Sequence, residues 1–189
     1  MTKDEFLIKF SLNARSLSLH QYRYNKPLKK AAVLIPLIDD GEQLQVLLTK
    51  RAAHLRHHAG QVSFPGGKVE DSDKNLTFTA FRETHEEIGL SPNLIKVVGS
   101  LHCYQVISGF EVTPIIAFIP NNYTFTQDDN EVSEIFQVPL QHFLESKNHI
   151  SVNVQRKGFS HKVHFMPYKH YNIWGATASM LKDLVVHLT

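Results

Sequence analysis

Apolar residues recur along the chain with two periods, one typical of strands and the other typical of helices. The first two strand-like runs are separated by Asp39-Asp40-Gly41, a turn signal that predicts a hairpin. Strands and helices mix without a strict alternation of parallel strands and crossover helices, so the pattern favours an α/β sandwich with a mixed β-sheet over a doubly wound sheet. The predicted strands are 31–38, 43–50, 94–106, 111–119 and a hairpin of 150–157 and 161–167 that turns through Lys157-Gly158.

Helical spacing is found in three stretches. A short amphipathic helix is predicted within 4–18 and a last helix within 175–188. The central helix should begin near Asp73, as an N-cap or scaffold residue, and end at Gly89, because Asp suits an N-cap and Gly suits the C′ position. The residues expected to face the core are Phe6, Leu7, Phe10 and Leu17 in the first helix, Thr77, Ala80, Phe81, Thr84 and Ile88 in the second, and Ala178, Leu181, Leu184 and Val185 in the last.

The intervening segments carry weaker patterns. Residues 52–72 contain His, Gly and Pro but no sustained apolar period, so we predict a long loop, and loops of that length in compact domains are usually functional. Residues 131–145 indicate a turn followed by a short helix, and a basic polar connector is expected from about His20 to Lys30. We therefore divide the chain into an N-terminal helix with its connector, residues 1–30, and a single domain, residues 31–189.

Composition narrows the function classes. The 189 residues suffice for one domain, and the single cysteine, Cys103, excludes an intramolecular disulfide and indicates a reducing compartment. A formal charge of +2 gives no argument for nucleic-acid or membrane binding. The amino-terminal segment mixes acids and bases, unlike a targeting peptide, and no apolar run is long enough to span a bilayer. We expect a cytoplasmic protein without a nucleic-acid or membrane partner; whether it forms a homodimer is left open.

The segment Arg-Glu-Thr-His-Glu-Glu-Ile-Gly-Leu at 82–90 carries most of the chemical information. Its glutamates, Glu83, Glu86 and Glu87, stand at i, i+3 and i+4, so a helix places them on one face. Each pair of like-charged neighbours costs about a few tenths of a kcal/mol, so such a helix indicates either a solvated acidic face or a compensating cation. Hard divalent cations such as Mg²⁺ bind carboxylates together with phosphate oxygens of a substrate, so the three glutamates are candidate metal ligands.

Upstream of the acidic helix, Phe-Pro-Gly-Gly at 64–67 ends the long loop. Two adjacent glycines allow a close approach of the backbone to a ligand. Together the glycines and the acidic helix resemble the Nudix box, whose pattern is Gly, five residues, Glu, seven residues, then Arg-Glu-apolar-x-Glu-Glu-x-Gly-apolar. Within 67–90 the matching residues are Gly67, Arg82, Glu83, Glu86, Glu87, Gly89 and Leu90.

Three departures from that pattern concern the start and the packing of the helix. Asp73 stands where Glu is usual, eight residues rather than seven separate it from Arg82, and Thr84 occupies a position that is usually apolar. The extra residue falls at the junction of loop and helix, where the loop can accommodate it without rotating the helix face that carries the carboxylates. We therefore do not expect Asp73 to be a metal ligand.

The stretch 47–67 resembles the coenzyme A diphosphatase branch of the Nudix family, and Ile-Trp-Gly-Ala-Thr-Ala-Ser-Met-Leu at 173–181 resembles the closing helix of that branch. Arg51 and Arg56 enter the loop after a strand, where guanidinium groups suit phosphate oxygens; a surface charge or a partner for an acid is the alternative for each. The residues that match the branch are Leu47, Leu48, Thr49, Arg51, Ala52, Arg56, Gly60, Phe64, Pro65, Gly66 and Gly67.

The resemblance implies a Nudix-type α/β/α sandwich and hydrolysis of the diphosphate bond of coenzyme A or its derivatives to 3′,5′-ADP and 4′-phosphopantetheine. In that interpretation Mg²⁺ or Mn²⁺ polarises the diphosphate and activates a water molecule. Arg82 belongs to the catalytic unit by orienting Glu83. The implied metal ligands are Glu83, Glu86, Glu87 and the carbonyl of Gly67, and the groups implied to hold the small-molecule substrate are Arg51, Arg56, Gly66 and Gly67.

Several alternatives stay open at this stage. The general base is left open between a residue of the Nudix box and one of a later loop, where Glu131 and Glu134 follow the polar segment 121–130 and are candidates. ADP-ribose, a dinucleotide or a nucleoside triphosphate is the second interpretation of the substrate, and a noncatalytic nucleotide-binding module is the third, although such a module would have no need for all three helix glutamates. The histidines lack the spacing of a closed zinc site and are given no metal role: His54, His57, His58, His85, His161 and His164.

Overall fold

The computed structural model of the protein describes residues 1–13, 27–156 and 159–189. The predictions for Leu17, for most of the connector and for the Lys157-Gly158 turn lie outside the described residues. The helices are α1 (Lys3–Leu12), α2 (Leu76–Ile88), α3 (Leu140–Leu144) and α4 (Gly175–Leu188), with 3₁₀ turns at Pro92–Leu94 and Ser146–Asn148. The strands are β1 (Lys29–Asp39), β2 (Leu44–Arg51), β3 (Val62–Ser63), β4 (Gly66–Lys68), β5 (Lys96–Ser100), β6 (Tyr104–Val106), β7 (Phe110–Ile119), β8 (Val132–Pro139), β9 (Ile150–Arg156) and β10 (Phe159–Phe165).

Strands β1 to β8 form one mixed sheet, and β9 and β10 form a separate antiparallel hairpin. β1 runs parallel to β7 along its length, from Lys29 beside Phe110 to Ile38 beside Ile119. The end of β1 pairs antiparallel with β2 through the predicted hairpin, and its start pairs antiparallel with β4, where Ala32 lies beside Gly67. β8 pairs antiparallel with β2, and β5 and β6 pair with β7. The predicted mixed sheet is confirmed.

Helices cover both faces of this sheet. Alternating residues of a strand point to opposite faces, and each face of β1 is apolar. Leu34 belongs to a core beneath α2 that includes Ile88, whereas Ile35 belongs to a second core with Phe6 of α1 and Leu181 of α4. The two cores give the predicted α/β/α sandwich. Within the described ranges, no helix has both the length and the apolarity needed to cross a bilayer.

The terminal helices follow the predicted patterns to different extents. α4 occupies the predicted range, and all four residues expected to face the core are buried. α1 begins at a capping box, in which the Thr2 hydroxyl accepts from the Glu5 amide and the Glu5 carboxylate accepts from the Thr2 amide. The helix ends at Leu12, because Asn13 adopts an extended conformation, and the rest of the predicted range lies outside the described residues.

Two predictions between these helices are wrong. Residues 132–139 form β8 rather than a turn, and the short helix α3 follows it. The pattern misled because Ile135 packs towards the α2 core whereas Phe136 packs towards the other one, so adjacent apolar residues mimic helical spacing. The stretch 52–72 is not a continuous loop, since β3 and β4 lie within it.

The central helix begins later than predicted. Asn75, not Asp73, is the N-cap of α2, and its side-chain oxygen accepts from the Phe78 amide at 2.9 Å. The end at Gly89 is confirmed, because that residue adopts the left-handed conformation with φ 71°. The buried face of α2 consists of Thr79, Ala80, Thr84, Glu87 and Ile88. The predicted stripe is therefore wrong at Thr77, which is only half-buried, whereas the half-buried Phe81 packs against the α2 core as predicted.

Candidate active site

The three glutamates of α2 lie on the helix as predicted but differ widely in exposure. The side chain of Glu87 is 3% exposed, that of Glu83 is 14% exposed and that of Glu86 is 56% exposed. The charge of Glu83 acts on the Glu87 carboxyl, and the Glu131 carboxylate acts on both. The acidic face is therefore not merely a solvated surface, because two of its carboxylates are withdrawn from water.

Strand β4 brings the two glycines against this face. A Cβ atom at Gly67 would overlap the carboxylate of Glu83, so only glycine permits this approach. Gly66 has φ 149°, and a Cβ there would collide with the backbone of Ala32 and Val33 in β1. The adjacent glycines thus let the backbone of β4 lie between β1 and the acidic helix.

Arg82 holds the acidic face in place through a network within the protein. Its Nε and Nη2 donate to the two oxygens of Asp73 at 2.9 and 3.0 Å. Its Nη1 donates to Glu83 Oε1 at 3.1 Å and to Glu86 Oε2 at 2.9 Å, and Nη2 also donates to the Lys68 carbonyl at 3.1 Å. Arg82 is therefore a positioning residue for two of the glutamates, as the sequence suggested for Glu83.

Asp73 completes that network from the segment before the helix. Its side chain is inaccessible to solvent and also accepts hydrogen bonds from the Glu70 amide and the Thr79 hydroxyl. The Arg82 guanidinium holds the pKa of this carboxyl well below its usual value, against the opposing effect of burial. Asp73 is a scaffold acid that stays ionised and fixes Arg82.

Glu87 is the most unusual group of the site. Burial raises the pKa of its carboxyl to about 8, and the charges of Glu131 and Glu83 add to the rise, while Arg51 and the Gly66 amide oppose it. Arg51 Nη1 lies 3.9 Å from Glu87 Oε1. Among the described residues, Glu87 Oε2 is the one buried side-chain nitrogen or oxygen without a hydrogen-bond partner. A buried carboxylate oxygen without a partner is costly unless a ligand satisfies it.

Glu83 shares part of this environment. Burial raises the pKa of its carboxyl, Arg82 opposes the rise, and the neighbouring carboxylates of Glu86 and Glu131 add to it. Within the described ranges, no three His, Cys, Asp or Glu side chains already converge as a metal-binding set. Mg²⁺ does not require such a set, because it commonly takes one or two carboxylates together with water and phosphate oxygens. The partnerless oxygen of Glu87 and the Gly67 backbone held against Glu83 fit a divalent cation.

The two predicted phosphate-binding arginines lie in different settings. Arg51 ends β2 and faces Glu87, so part of its charge is matched by an acid. Arg56 is exposed in the segment between β2 and β3. That segment closes on itself, since the Gly60 amide donates to the Arg51 carbonyl at 3.1 Å and the Arg51 amide donates to the Gln61 carbonyl at 2.9 Å. The closure keeps the arginine-bearing segment at the same end of β2 as Glu87.

The two candidate general bases differ in their partners. Glu131 is exposed, its carbonyl accepts from the Ala52 amide at 2.9 Å, and its charge acts on Glu83 and Glu87. The carboxylate of Glu134 instead accepts a hydrogen bond from the Tyr171 hydroxyl. The structure therefore associates Glu131, rather than Glu134, with the acidic face.

The polar segment 121–130, which the sequence marked only as preceding Glu131, holds the end of α2. The Tyr123 hydroxyl donates to the Gly89 carbonyl at 2.6 Å, and the Thr126 and Asp128 amides donate to the Ile88 and Glu87 carbonyls at 3.1 and 3.0 Å. These bonds satisfy carbonyls that a helix end leaves without partners. The same segment leads directly into Glu131. No local pattern could have revealed it, because the contacts join residues more than thirty positions apart.

Comparisons with known proteins agree with this geometry. A family model described as the NUDIX domain matches residues 28–158. The chain is 38% identical over 188 residues to the "Uncharacterized Nudix hydrolase NudL" of Enterobacter sp. (strain 638), covering 100% of this chain and 95% of that protein. It is 39% identical to the protein of the same name from Salmonella typhimurium, with the same coverage.

Solved structures share the fold. A Nudix hydrolase from M. smegmatis, RenU, superposes with a TM-score of 0.52 at 24% identity, covering 67% of this chain and 79% of that one. A C. elegans Ap4A hydrolase in a binary complex superposes with a TM-score of 0.51 at 18% identity, covering 59% of this chain and 80% of that one. At these identities the likeness establishes the fold of the chain alone.

Proposed function

Because the chain belongs to the Nudix hydrolase family, whose members hydrolyse phosphorus anhydrides, we propose that it cleaves the diphosphate bond of coenzyme A or a coenzyme A derivative. The products are 3′,5′-ADP and 4′-phosphopantetheine, or its acylated form. The observation that carries the proposal is the buried, partnerless oxygen of Glu87 beside Arg51 and the glycines of β4. The unbroken match of residues 47–67 to the coenzyme A diphosphatase pattern supports the choice of substrate.

Family members use divalent metal ions such as Mg²⁺ or Mn²⁺, and the residues that would hold one here are Glu83, Glu86, Glu87 and the Gly67 carbonyl. Bound there, the ion would supply Lewis-acid polarisation of the diphosphate. Glu87 offers a buried carboxylate and Glu83 a half-buried one, whereas Glu86 is shared with Arg82 and solvent. We assign Glu86 the outermost place among these ligands for that reason.

The remaining groups act on the substrate and on the attacking water. We assign Arg51 and Arg56 to the phosphate oxygens of the substrate, since guanidinium groups pair well with them. We assign Glu131 to accept the proton of the attacking water, because its exposed carboxylate acts on both Glu83 and Glu87. Arg82 touches no substrate and keeps Glu83 and Glu86 in place. The proposal assigns residues 31–189 to one catalytic domain that acts in the cytoplasm.

The deciding experiment is incubation of the purified protein with coenzyme A and Mg²⁺ or Mn²⁺, with the products resolved by mass spectrometry. Glu87→Gln keeps the shape of the side chain but removes its charge, so we expect a loss of activity of at least about a hundredfold with the fold retained. Glu42→Gln, at an exposed position of the β1–β2 turn, is the matched control and should remain active.

The substrate is tested separately by running ADP-ribose in parallel. Release of 3′,5′-ADP and phosphopantetheine by the native protein, absent in Glu87→Gln, supports the reaction and the substrate together. Cleavage of ADP-ribose with coenzyme A left intact would rule out coenzyme A as the substrate, while the assignment of the carboxylates to diphosphate hydrolysis would stand. Substantial turnover by Glu87→Gln would overturn the assignment of the site.

A further inference from the structure

The pairing of strands β2 and β8 has one irregularity, and it falls beside the candidate active site. Up to Lys50 beside Glu134, the two strands pair one residue against one. The next residue of β2, Arg51, lies beside Val132, so Ser133 is left without a partner in the register. Ser133 is therefore the extra residue of a β-bulge, a feature that bends the strand and often redirects a side chain next to an active site.

The side chain of Ser133 bonds to the strand opposite the bulge. Its hydroxyl donates to the Lys50 carbonyl at 3.1 Å and to the Arg51 carbonyl at 3.4 Å. A hydroxyl carries a single hydrogen, so the two carbonyls share one bifurcated bond. A bulge disrupts the ladder of backbone bonds locally, and this side-chain bond joins the two strands at that point.

The backbone of Arg51 is held from both sides by this arrangement. On the side of β3, its amide donates to the Gln61 carbonyl at 2.9 Å and its carbonyl accepts from the Gly60 amide at 3.1 Å. On the side of β8, the Ser133 hydroxyl donates to the same carbonyl. The direction in which the Arg51 side chain leaves the strand is therefore fixed by bonds from two separate segments.

The bulge also determines which side chain accompanies Arg51. Cross-strand partners lie on the same face of a sheet, so Arg51 lies beside Val132, which is buried, instead of beside the exposed Ser133. On this face the Arg51 guanidinium reaches Glu87, with Nη1 3.9 Å from Oε1. The side chain of Arg51 remains partly exposed, so it is open to a ligand as well.

A guanidinium presents its N–H donors in a rigid fork, so its fit to phosphate oxygens depends on how the backbone directs it. We propose that Ser133 is a positioning residue, whose hydroxyl stabilises the bulge and thereby directs Arg51 towards Glu87 and the phosphate oxygens of the substrate. In this role Ser133 acts through Arg51 and not on the substrate. The inference rests on the proposed function, because it presumes that Arg51 binds a phosphate-containing substrate.

The test measures the binding of a diphosphate analogue that cannot be hydrolysed. Methylenediphosphonate, whose phosphorus atoms are joined through carbon, is titrated into the Mg²⁺-supplemented protein by isothermal titration calorimetry. We expect Ser133→Ala to weaken binding about three- to tenfold, the change that corresponds to one hydrogen bond. Arg51→Gln should weaken it at least about tenfold, because it removes a charged donor. Ser160→Ala, at an exposed strand position of the separate hairpin, is the matched control and should bind like the native protein.

Two further comparisons distinguish positioning from a general loss of stability. In the Arg51→Gln background, Ser133→Ala should change the affinity by less than about twofold, because residues that act through one another are not additive. Ser133→Thr keeps a hydroxyl and should bind within about twofold of the native protein. Ser133→Val has the shape of threonine without the hydroxyl, so it should bind as weakly as Ser133→Ala. Urea unfolding gives the folded fraction of each variant, and the affinities are corrected for it.

Native affinity in Ser133→Ala would overturn the proposal, and so would an equal loss with and without Arg51→Gln. Should Ser133→Ala fail to fold, the comparison of Ser133→Thr with Ser133→Val decides, and equal affinities for these two would contradict a role of the hydroxyl. A native protein that binds no methylenediphosphonate would also overturn the proposal, because Arg51 would then have no phosphate to bind. A protein that shows the expected affinities but leaves coenzyme A intact would contradict the proposed substrate and support the positioning role.

Discussion

At the scale of single residues, Asp73 determines how the acidic face is held. Asp73→Asn keeps the shape of the side chain but removes the charge that fixes Arg82. We expect it to lower the free energy of unfolding at pH 7 by roughly 1.5–3 kcal/mol, the range for a hydrogen bond to a charged group. It should also lower activity by about 10–100-fold, since supporting groups of metal ligands have effects of that size. Urea unfolding and initial rates measure the two effects, and Asp71→Asn, at an exposed neighbour, is the control.

The same residue gives a pH dependence with a defined sign. Arg82 lowers the pKa of Asp73 in the folded protein, so folding favours the ionised form. Its contribution to stability is fully present above the unfolded pKa, about 4, and is lost as the pH falls below that value towards the folded-state pKa. Between about pH 5 and pH 2 the native protein should lose stability more steeply than Asp73→Asn does. Parallel curves for the two proteins would contradict the assignment.

At the scale of elements, the end of α2 is held by the segment that leads into Glu131. Tyr123→Phe removes only the hydroxyl that donates to the Gly89 carbonyl, so we expect a loss of about 0.5–1.5 kcal/mol in the free energy of unfolding. The rate should fall further than such a small loss of stability alone would cause, because Glu131 follows this segment. Tyr168→Phe, which removes a hydroxyl near the core on the other face, is the control. Equal rates for Tyr123→Phe and the native protein would show that the bond between this segment and the end of α2 does not affect catalysis.

Elements with local signals could be predicted from the sequence, whereas those determined by distant contacts could not. The β1–β2 hairpin followed from Asp39-Asp40-Gly41, and α4 followed from its apolar spacing. β8 was missed because both of its faces pack on a core, which erases the alternation typical of a half-buried strand.

The candidate site shows the same division. The sequence identified the glutamates and glycines, because they are close in the chain and their spacing is regular. It could not rank the exposures of Glu83, Glu86 and Glu87, which depend on β4 and Arg51. The sequence also could not show that Asn75 rather than Asp73 is the N-cap of α2, because the bond between Asp73 and Arg82 that engages the Asp73 side chain is a tertiary contact. Glu131 and Glu134 are equivalent in the sequence for the same reason, and only the tertiary bond from the Tyr171 hydroxyl to Glu134 distinguishes them.

At the scale of the whole molecule, the sheet separates the acidic face from the terminal helices. α1 packs on α4 on the face opposite α2, and their ends are joined by bonds from Asn13 Nδ2 to the His187 carbonyl at 2.7 Å and from Lys9 Nζ to the Leu188 carbonyl at 2.9 Å. Phe6 of α1 is fully buried in that core, with its ring 5.8 Å from the ring of Phe118. Stability and activity should therefore respond differently to a change in α1.

Phe6→Ala tests this separation. Truncating a buried phenylalanine should lower the free energy of unfolding by about 3–5 kcal/mol, while Ile8→Ala, at a position 58% exposed on the same helix, should change it by less than about 0.5 kcal/mol. Because Phe6 lies across the sheet from Glu83 and Glu87, the rate per folded molecule at low temperature should stay close to native. Urea unfolding gives the stability, and rates corrected for the folded fraction give the activity. Equal urea midpoints for the two variants would show that α1 adds little to the core, and a large loss of corrected rate in Phe6→Ala would show that the two faces are coupled through the sheet.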